Sequence, residues 1–255
     1  LFEDRRFYHR DRKARFVPTP PHAPVQRLDD EFPLILNTGR IRDQWHTMTR
    51  SGKAPRLTSH TPEPYVDLHP QDALLAGTRE GDLVRVSTRW GSLVARLRMS
   101  GEMPRGMIFV PIHWNSAFAS DARVGALVNP VVDPVSGEPE LKHTPARVTP
   151  FIVSWYGFIL TPRPLAALDA TWWTLAHGAK FYRYELAGRR VHRDWSAWSR
   201  RLLNVADPNA DWLDYSDPSA GVYRGALLIE DRIEACVFLS PRSDLPSRTW
   251  LANLF

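Results

Sequence analysis

Apolar and polar residues alternate with a period of two through much of the first 150 positions, in short runs separated by turn signals. The clearest case is a hairpin: Leu83, Val84 and Val86 alternate into Ser87 and Thr88, Arg89-Trp90-Gly91 turns, and Leu93, Val94, Ala95 and Leu97 run back. Phe32 to Leu36, headed by Pro33, predicts a buried strand whose first residue needs no ladder donor, broken by Asn37, Thr38 and Gly39. Tyr65 to Leu68, Met107 to Ile112 and Ala146 to Val153 predict further strands. Between them, His69-Pro70 opens a short helix in which Asp72 complements the positive end, Ala73, Leu74 and Leu75 bury, and Gly77 ends the turn. Strands of similar length with one or two short helices are most economically arranged as a small closed barrel, because closure removes exposed edges.

The last hundred residues follow a different pattern. Trp155 to Leu160 and Phe181 to Leu186 predict strands, whereas Ala170 to His177 and Asp194 to Leu203 predict helices capped near Asp169 and Asp194. Val222 to Ile229 and Ile233 to Leu239 predict a second hairpin around Glu230 to Arg232, and Leu245 to Leu254 a short terminal helix. Trp172, Trp173, Trp195 and Trp198 are expected to serve core packing rather than a ligand cage. The chain therefore divides into a linker over 1–31 that joins a preceding domain through the prolines between Pro18 and Pro24, a barrel domain over 32–153, and a smaller α+β unit over 154–255.

Composition narrows the class. Of 255 residues, 43% are apolar and 24% charged, as in globular domains, and no apolar run reaches the length of a membrane span or a signal peptide, so a cytoplasmic address is the expectation. The formal net charge of +5 invites nucleic acid as a partner, but the basic residues crowd the first sixteen positions and form no helical stripe, so none is expected. The single Cys236 lies in an apolar run, where it reads as a small buried hydrophobe.

The chemistry concentrates in one loop. After the strand at Phe32, the residues Thr38, Gly39, Arg40, Arg42, Trp45, His46, Thr47, Thr49 and Arg50 bring hydroxyl, guanidinium, imidazole and indole groups together. Such a donor set suits an anion, and a polyphosphate with an attached ring is the natural candidate. The bland alternative is a solvated basic loop on an ordinary barrel. A second polar stretch, from His113 to Val148, has little periodicity for its length and carries Asp133-Pro134, Lys142 and His143. Taken singly, Asp133 reads as a turn cap and Lys142 as a solvated charge.

The ordered motifs LNTGRIRDQWHTMTRSGKAPRL, HPQDALLAG, EGDLVRVSTRWGSLVARLRMS, FVPIHW and NPVVDPVSGEPELKHTPARV resemble the molybdopterin-dinucleotide-binding domain at the C-terminal end of molybdenum oxidoreductases of the dimethyl-sulfoxide-reductase superfamily. Within it, the loop is most similar to that of assimilatory nitrate reductase catalytic subunits, with formate dehydrogenases the nearest alternative. The resemblance implies a mainly β fold, a double-psi β-barrel of the aspartate-decarboxylase-like kind followed by the α+β unit. It implies cofactor contacts from Thr38, Gly39, Arg40, Trp45, His46, Thr47 and Thr49 in the first loop, and from Phe118 and Lys142 in the second, with Asp133-Pro134 and Ser136 setting the latter's turn. Relatives commonly carry Asn at the position of Gly125, so one cofactor bond is expected to be lost or moved to Asn129. The implied cofactor is molybdenum bis(molybdopterin guanine dinucleotide), the implied reaction reduction of nitrate to nitrite in nitrate assimilation. The metal ligand and a 4Fe-4S cluster are expected only in upstream domains of the same polypeptide, with an electron-donor protein or reductase subunit as a further partner and no membrane. A reading of a different class is a non-catalytic β-barrel binding module. The two separate on geometry: a cofactor clamp requires the loops at 38–50 and 113–142 to meet.

Overall fold

In the computed structural model, which describes residues 2–18, 20–204 and 210–255, the alternating segments become six strands of one closed barrel. In chain order the elements are β1 (Leu34–Gly39), α1 (Pro55–Thr58), β2 (Tyr65–Leu68), α2 (Pro70–Leu75), β3 (Leu83–Ser87), β4 (Ser92–Met99), β5 (Met107–Pro111) and β6 (Thr144–Pro150). The barrel runs β1-β5-β2-β4-β3-β6 and closes by antiparallel pairing of β6 with β1. Two of its pairs, β1 with β5 and β2 with β4, are parallel, in keeping with the expected double-psi barrel. Every second residue points inward: Leu36, Val66, Leu68, Val84, Val86, Leu93, Ala95, Leu97, Ile108, Val110, Ala146 and Val148 form one buried cluster, as period-two side chains on a closed sheet must.

Two expectations in the barrel are corrected. Asn37, Thr38 and Gly39 do not break β1, because β5 offers them a parallel ladder, with Asn37 opposite Phe109, Thr38 opposite Val110 and Gly39 opposite Pro111. The helix α2 starts at Pro70 and is followed by Gly77 at φ +67°, but Leu74 and Leu75 are 78% and 79% exposed. A six-residue helix lying across a barrel end has room to bury only Ala73 and Asp72, and the Asp72 carboxylate accepts the Gly106 N–H at 2.7 Å.

Residues beyond 154 form β7 (Trp155–Thr161), β8 (Trp172–His177), β9 (Tyr182–Gly188), α3 (Trp195–Leu203), β10 (Ala210–Asp217), β11 (Val222–Ile229), β12 (Arg232–Ser240) and α4 (Arg248–Ala252). The six strands make one sheet in the order β10-β11-β12-β7-β9-β8, with every neighbouring pair antiparallel. The expected helix over Ala170 to His177 is the strand β8, and Asp169 caps nothing there. Trp172, Thr174 and Ala176 are buried at alternate positions, and β9 pairs along the whole segment. The strand β10 carries no apolar alternation and was not anticipated. By contrast, the Asp194 carboxylate does cap α3, accepting the Ala197 N–H at 2.8 Å, and the hairpin of β11 and β12 turns at Glu230 and Asp231, both at positive φ. The tryptophans pack as expected: Trp155, Trp195 and Trp198 meet edge to face with centroids 5.2–5.9 Å apart.

The two sheets share a core. Leu83 and Val94, on the outer face of the barrel, pack with Phe151, Trp172 and Ala187, and the Trp172 indole N–H donates to the Val94 carbonyl at 3.1 Å. Ala119 forms a bridge with Thr174, and Leu175 donates its N–H to the Phe118 carbonyl at 2.8 Å, so the second sheet holds the segment that follows β5. Cys236 is buried against Phe158, Leu160 and Leu251, and burial pushes its thiol up to about 12, which leaves it inert.

Candidate cofactor site

Parallel pairing of β1 with β5 sends both chains out at the same rim of the barrel, and Ile112 donates its N–H to the Gly39 carbonyl at 3.0 Å as they leave. The loop after β1 is then fastened by side chains from the segment after β5. His113, with no exposed surface, takes the Ile41 N–H on Nε2 at 2.9 Å and contacts the His46 carbonyl through Nδ1 at 2.6 Å. Only one arrangement satisfies both: Nε2 accepts, so Nδ1 carries the proton and donates. Burial pushes the His113 pKa down, which keeps the ring in this neutral form. Asn115 adds a third tie, its Nδ2 donating to the Thr47 carbonyl at 2.7 Å.

These ties hold a strained conformation. His46 and Met48 sit at φ +42° and +61°, a left-handed region that costs a non-glycine residue roughly 1–2 kcal/mol each. Met48 is driven there by burial, since its side chain packs with Trp114, Phe118, Ala119 and Ala122. Below it, the Trp45 N–H donates to Ser51 Oγ at 3.1 Å, and Ser51 donates to Gln44 Oε1 at 2.8 Å. With Met48, Gln44 and Ser51 turned inward, the residues between them are forced out. Trp45 is 60% exposed, the Arg40 guanidinium lies 5.0 Å over its ring, and His46 meets that ring edge-on at 4.5 Å. The hydroxyls of Thr47 and Thr49, both exposed, lie 3.3 Å apart.

The second loop reaches the same rim. The Thr38 hydroxyl donates to the Leu141 carbonyl at 2.8 Å, and Lys142 Nζ donates to the Thr38 carbonyl, a reciprocal tie between segments a hundred residues apart. Glycine at 39 leaves room for the Phe109 ring, from which a Cβ there would stand only 2.9 Å.

Of the nine residues singled out in the sequence, Gly39, Arg40, Trp45, His46, Thr47, Thr49 and Lys142 gather at one rim. Thr38 is buried and committed to Leu141, and Phe118 is only 8% exposed, its ring beneath Gly52 and Met48, so these two shape the loop from below. Lys142 is more than a solvated charge, whereas Asp133 is the turn cap expected, accepting from Val135 N, Ser136 N and Ser136 Oγ. Arg42 is drawn away by Asp43, which accepts a two-pronged contact from it; that contact, with His60 beside it, lowers the Asp43 pKa to about 2. Asn129, 1% exposed, is bonded within the chain. Its Nδ2 donates to Glu140, His143 and Thr144 and its Oδ1 accepts from Val131 N–H, while a side chain at Gly125 would meet open space. His113, Asn115 and Gln44 were not singled out. The only signal was the HWN run directly after an apolar strand.

The rim fits a dinucleotide on its own chemistry. Arg40 and Lys142 supply cations for a pyrophosphate, Thr47 and Thr49 supply hydroxyls, and Trp45 supplies an exposed aromatic face. Two buried polar atoms of these segments, Asn37 Oδ1 in β1 and Gln44 Nε2 in the loop after it, have no partner within the chain. Among the described residues no group of three or more His, Cys, Asp and Glu stands where it could hold a metal ion. Cavities of about 470 and 340 Å³ lie elsewhere, one against Thr161–Ala166 and one at the seam between α1 and β8.

Residues 34–145, from β1 through both loops to the first residues of β6, match the family model described as the Molydopterin dinucleotide binding domain. The chain is 39% identical over 209 residues to a nitrate reductase of Klebsiella oxytoca, covering 80% of this chain and 24% of that protein. A nitrate reductase of Shewanella frigidimarina (strain NCIMB 400) is 32% identical over 180 residues, covering 63% of this chain and 19% of that protein. The chain thus spans about a quarter or less of the length of these relatives. Among solved structures, acetylene hydratase from Pelobacter acetylenicus is similar at 22% identity and a TM-score of 0.42, covering 48% of this chain and 19% of that one, a likeness too slight to carry an argument.

Proposed function

We propose that this chain is the cofactor-clamping C-terminal part of a molybdenum oxidoreductase that reduces nitrate to nitrite for assimilation in the cytoplasm. The observation that carries the reading is the meeting of the two donor loops at one rim, through the Thr38–Leu141 and Lys142–Thr38 bonds, in a barrel that matches the dinucleotide-binding family. The likeness to two nitrate reductases supports nitrate as the substrate. The bound molybdenum bis(molybdopterin guanine dinucleotide) would supply the two-electron chemistry. This chain's residues bind and orient it: Arg40 and Lys142 on the pyrophosphate, Thr47 and Thr49 on neighbouring oxygens, and Trp45 against a ring. Electrons would arrive through a 4Fe-4S cluster in upstream domains and from a separate donor protein or reductase subunit.

The test is cofactor analysis of the full-length protein with the Arg40→Ala variant beside it. Guanine dinucleotide, molybdenum and nitrite formation from reduced viologen are expected in the parent. Loss of a charge-assisted bond in the variant is expected to weaken cofactor binding by about 1.5–3 kcal/mol. Molybdenum and guanine dinucleotide without nitrate reduction would move the substrate to formate or another small anion, and absence of any pterin would overturn the clamp itself.

A further inference from the structure

We propose that His113 is the positioning residue of the dinucleotide loop, with Asn115 as its second clasp. The inference rests on the reading of this rim as a cofactor clamp and names the groups that hold it in shape. His113 touches neither Arg40, Trp45 nor the threonines through its ring nitrogens; it takes the backbone at two points of their loop, Ile41 N–H on Nε2, next to Arg40, and the His46 carbonyl on Nδ1, next to Thr47. Those two points bracket the exposed Trp45, and the His46 carbonyl belongs to a residue held in the left-handed region. A loop carrying two non-glycine residues at positive φ relaxes to extended or right-handed backbone once released, and the donors it presents then diverge. A single imidazole suits this work because it accepts at one end and donates at the other, in a fixed plane. Asn115 extends the hold by one residue, to Thr47, from the same strand exit.

The experiment is the rate at which the full-length protein loses its pterin dinucleotide on dilution, read from the fluorescence of released and oxidised pterin. It is measured for the parent, for His113→Leu, His113→Gln, Asn115→Ala and Asp194→Ala, with thermal melting of each cofactor-free protein alongside. His113→Leu is expected to lose the cofactor roughly tenfold or more faster, within the range for residues that orient a ligand set from behind. His113→Gln, which can still serve the Ile41 end, is expected to fall between it and the parent. Asn115→Ala, at a partly exposed position, also loses the bond that Asn115 Oδ1 accepts from the Ala117 N–H at 2.8 Å. It is expected to lower the melting temperature by less than His113→Leu yet to release the cofactor faster than Asp194→Ala, a variant of matched stability loss at a helix cap far in sequence from the loop. A purely structural role would not give that separation. Parent-like release from both Asn115→Ala and His113→Leu overturns the proposal. Should His113→Leu fail to fold, Asn115→Ala and His113→Gln decide it, and parent-like release from both is then the overturning result. A parent protein that carries no pterin overturns the clamp reading instead, a distinct result.

Discussion

Replacing Thr38 by Val keeps the shape of a side chain that is 1% exposed and removes only its hydroxyl. Two losses follow. The bond to the Leu141 carbonyl disappears, and that carbonyl, facing a methyl group, has to find water or go unpaired; together these cost about 1–3 kcal/mol. Lys142 still holds the Thr38 carbonyl from the other side, so the two loops stay in contact and the loss stays near the lower half of that range. Lys142→Met is expected to cost about 0.5–1.5 kcal/mol by itself. The decisive quantity is the double variant. Because both bonds join the same two segments, breaking one loosens the other, and the double variant is expected to lose less than the sum, by at least about 0.5 kcal/mol. Urea unfolding followed by tryptophan fluorescence measures all three, with the dependence on urea unchanged and the midpoint lowered. Strict additivity within about 0.3 kcal/mol would show that the reciprocal tie does not act as a unit, and a Thr38→Val loss below about 0.5 kcal/mol would show that Leu141 is not held there.

Three further outcomes are expected. Gly91→Ala places a Cβ 2.5 Å from the Ala126 carbonyl oxygen, so backbone has to move; a loss of about 1–3 kcal/mol is expected in the same urea assay, and a neutral variant would refute the close approach. Asp194→Ala removes the cap of α3 and is expected to lower stability by about 1 kcal/mol, whereas Asp194→Asn, which can still accept from Ala197 N–H, is expected to lose little. Burial depresses the pKa of His113, His177 and His192 below their ordinary 6.5. Because the unfolded chain then binds protons first, stability is full above about pH 6.5 and falls as pH drops from there through the folded values; a urea midpoint flat between about pH 7.5 and 5.5 would contradict this.

How much of this was legible in the sequence depended on whether one segment's pattern sufficed. The barrel was readable because Val84, Val86, Leu93, Ala95 and Leu97 alternate on a closed sheet whose inside is uniformly apolar. The strand β8 was not, because Trp172 packs against the barrel from one face of the sheet while Trp173 and Leu175 lie against the tryptophan cluster on the other, so its apolar residues crowd into a run that a helix could also hide. Leu74 and Leu75 misled for the opposite reason: their helix is too short to turn them both toward the barrel. At the rim, the donors themselves could be named from composition, since Arg40, Trp45, Thr47 and Thr49 stand in one stretch. The groups that hold them could not. His113 lies 72 positions from Ile41 and becomes its partner only because β1 and β5 run side by side.

That same parallel pairing fixes when the site can exist. β1 must find β5 across some seventy residues, and the barrel shuts only when Leu34 meets Ala146, more than a hundred positions away. Contacts so distant in sequence form late and slowly, after the local hairpin of β3 and β4. The rim is therefore among the last parts of the barrel to assemble: a chain halted before β6 presents the first loop without Lys142, and a cofactor offered during synthesis meets no finished seat. A seat built from both loops exists only after closure, in the folded barrel.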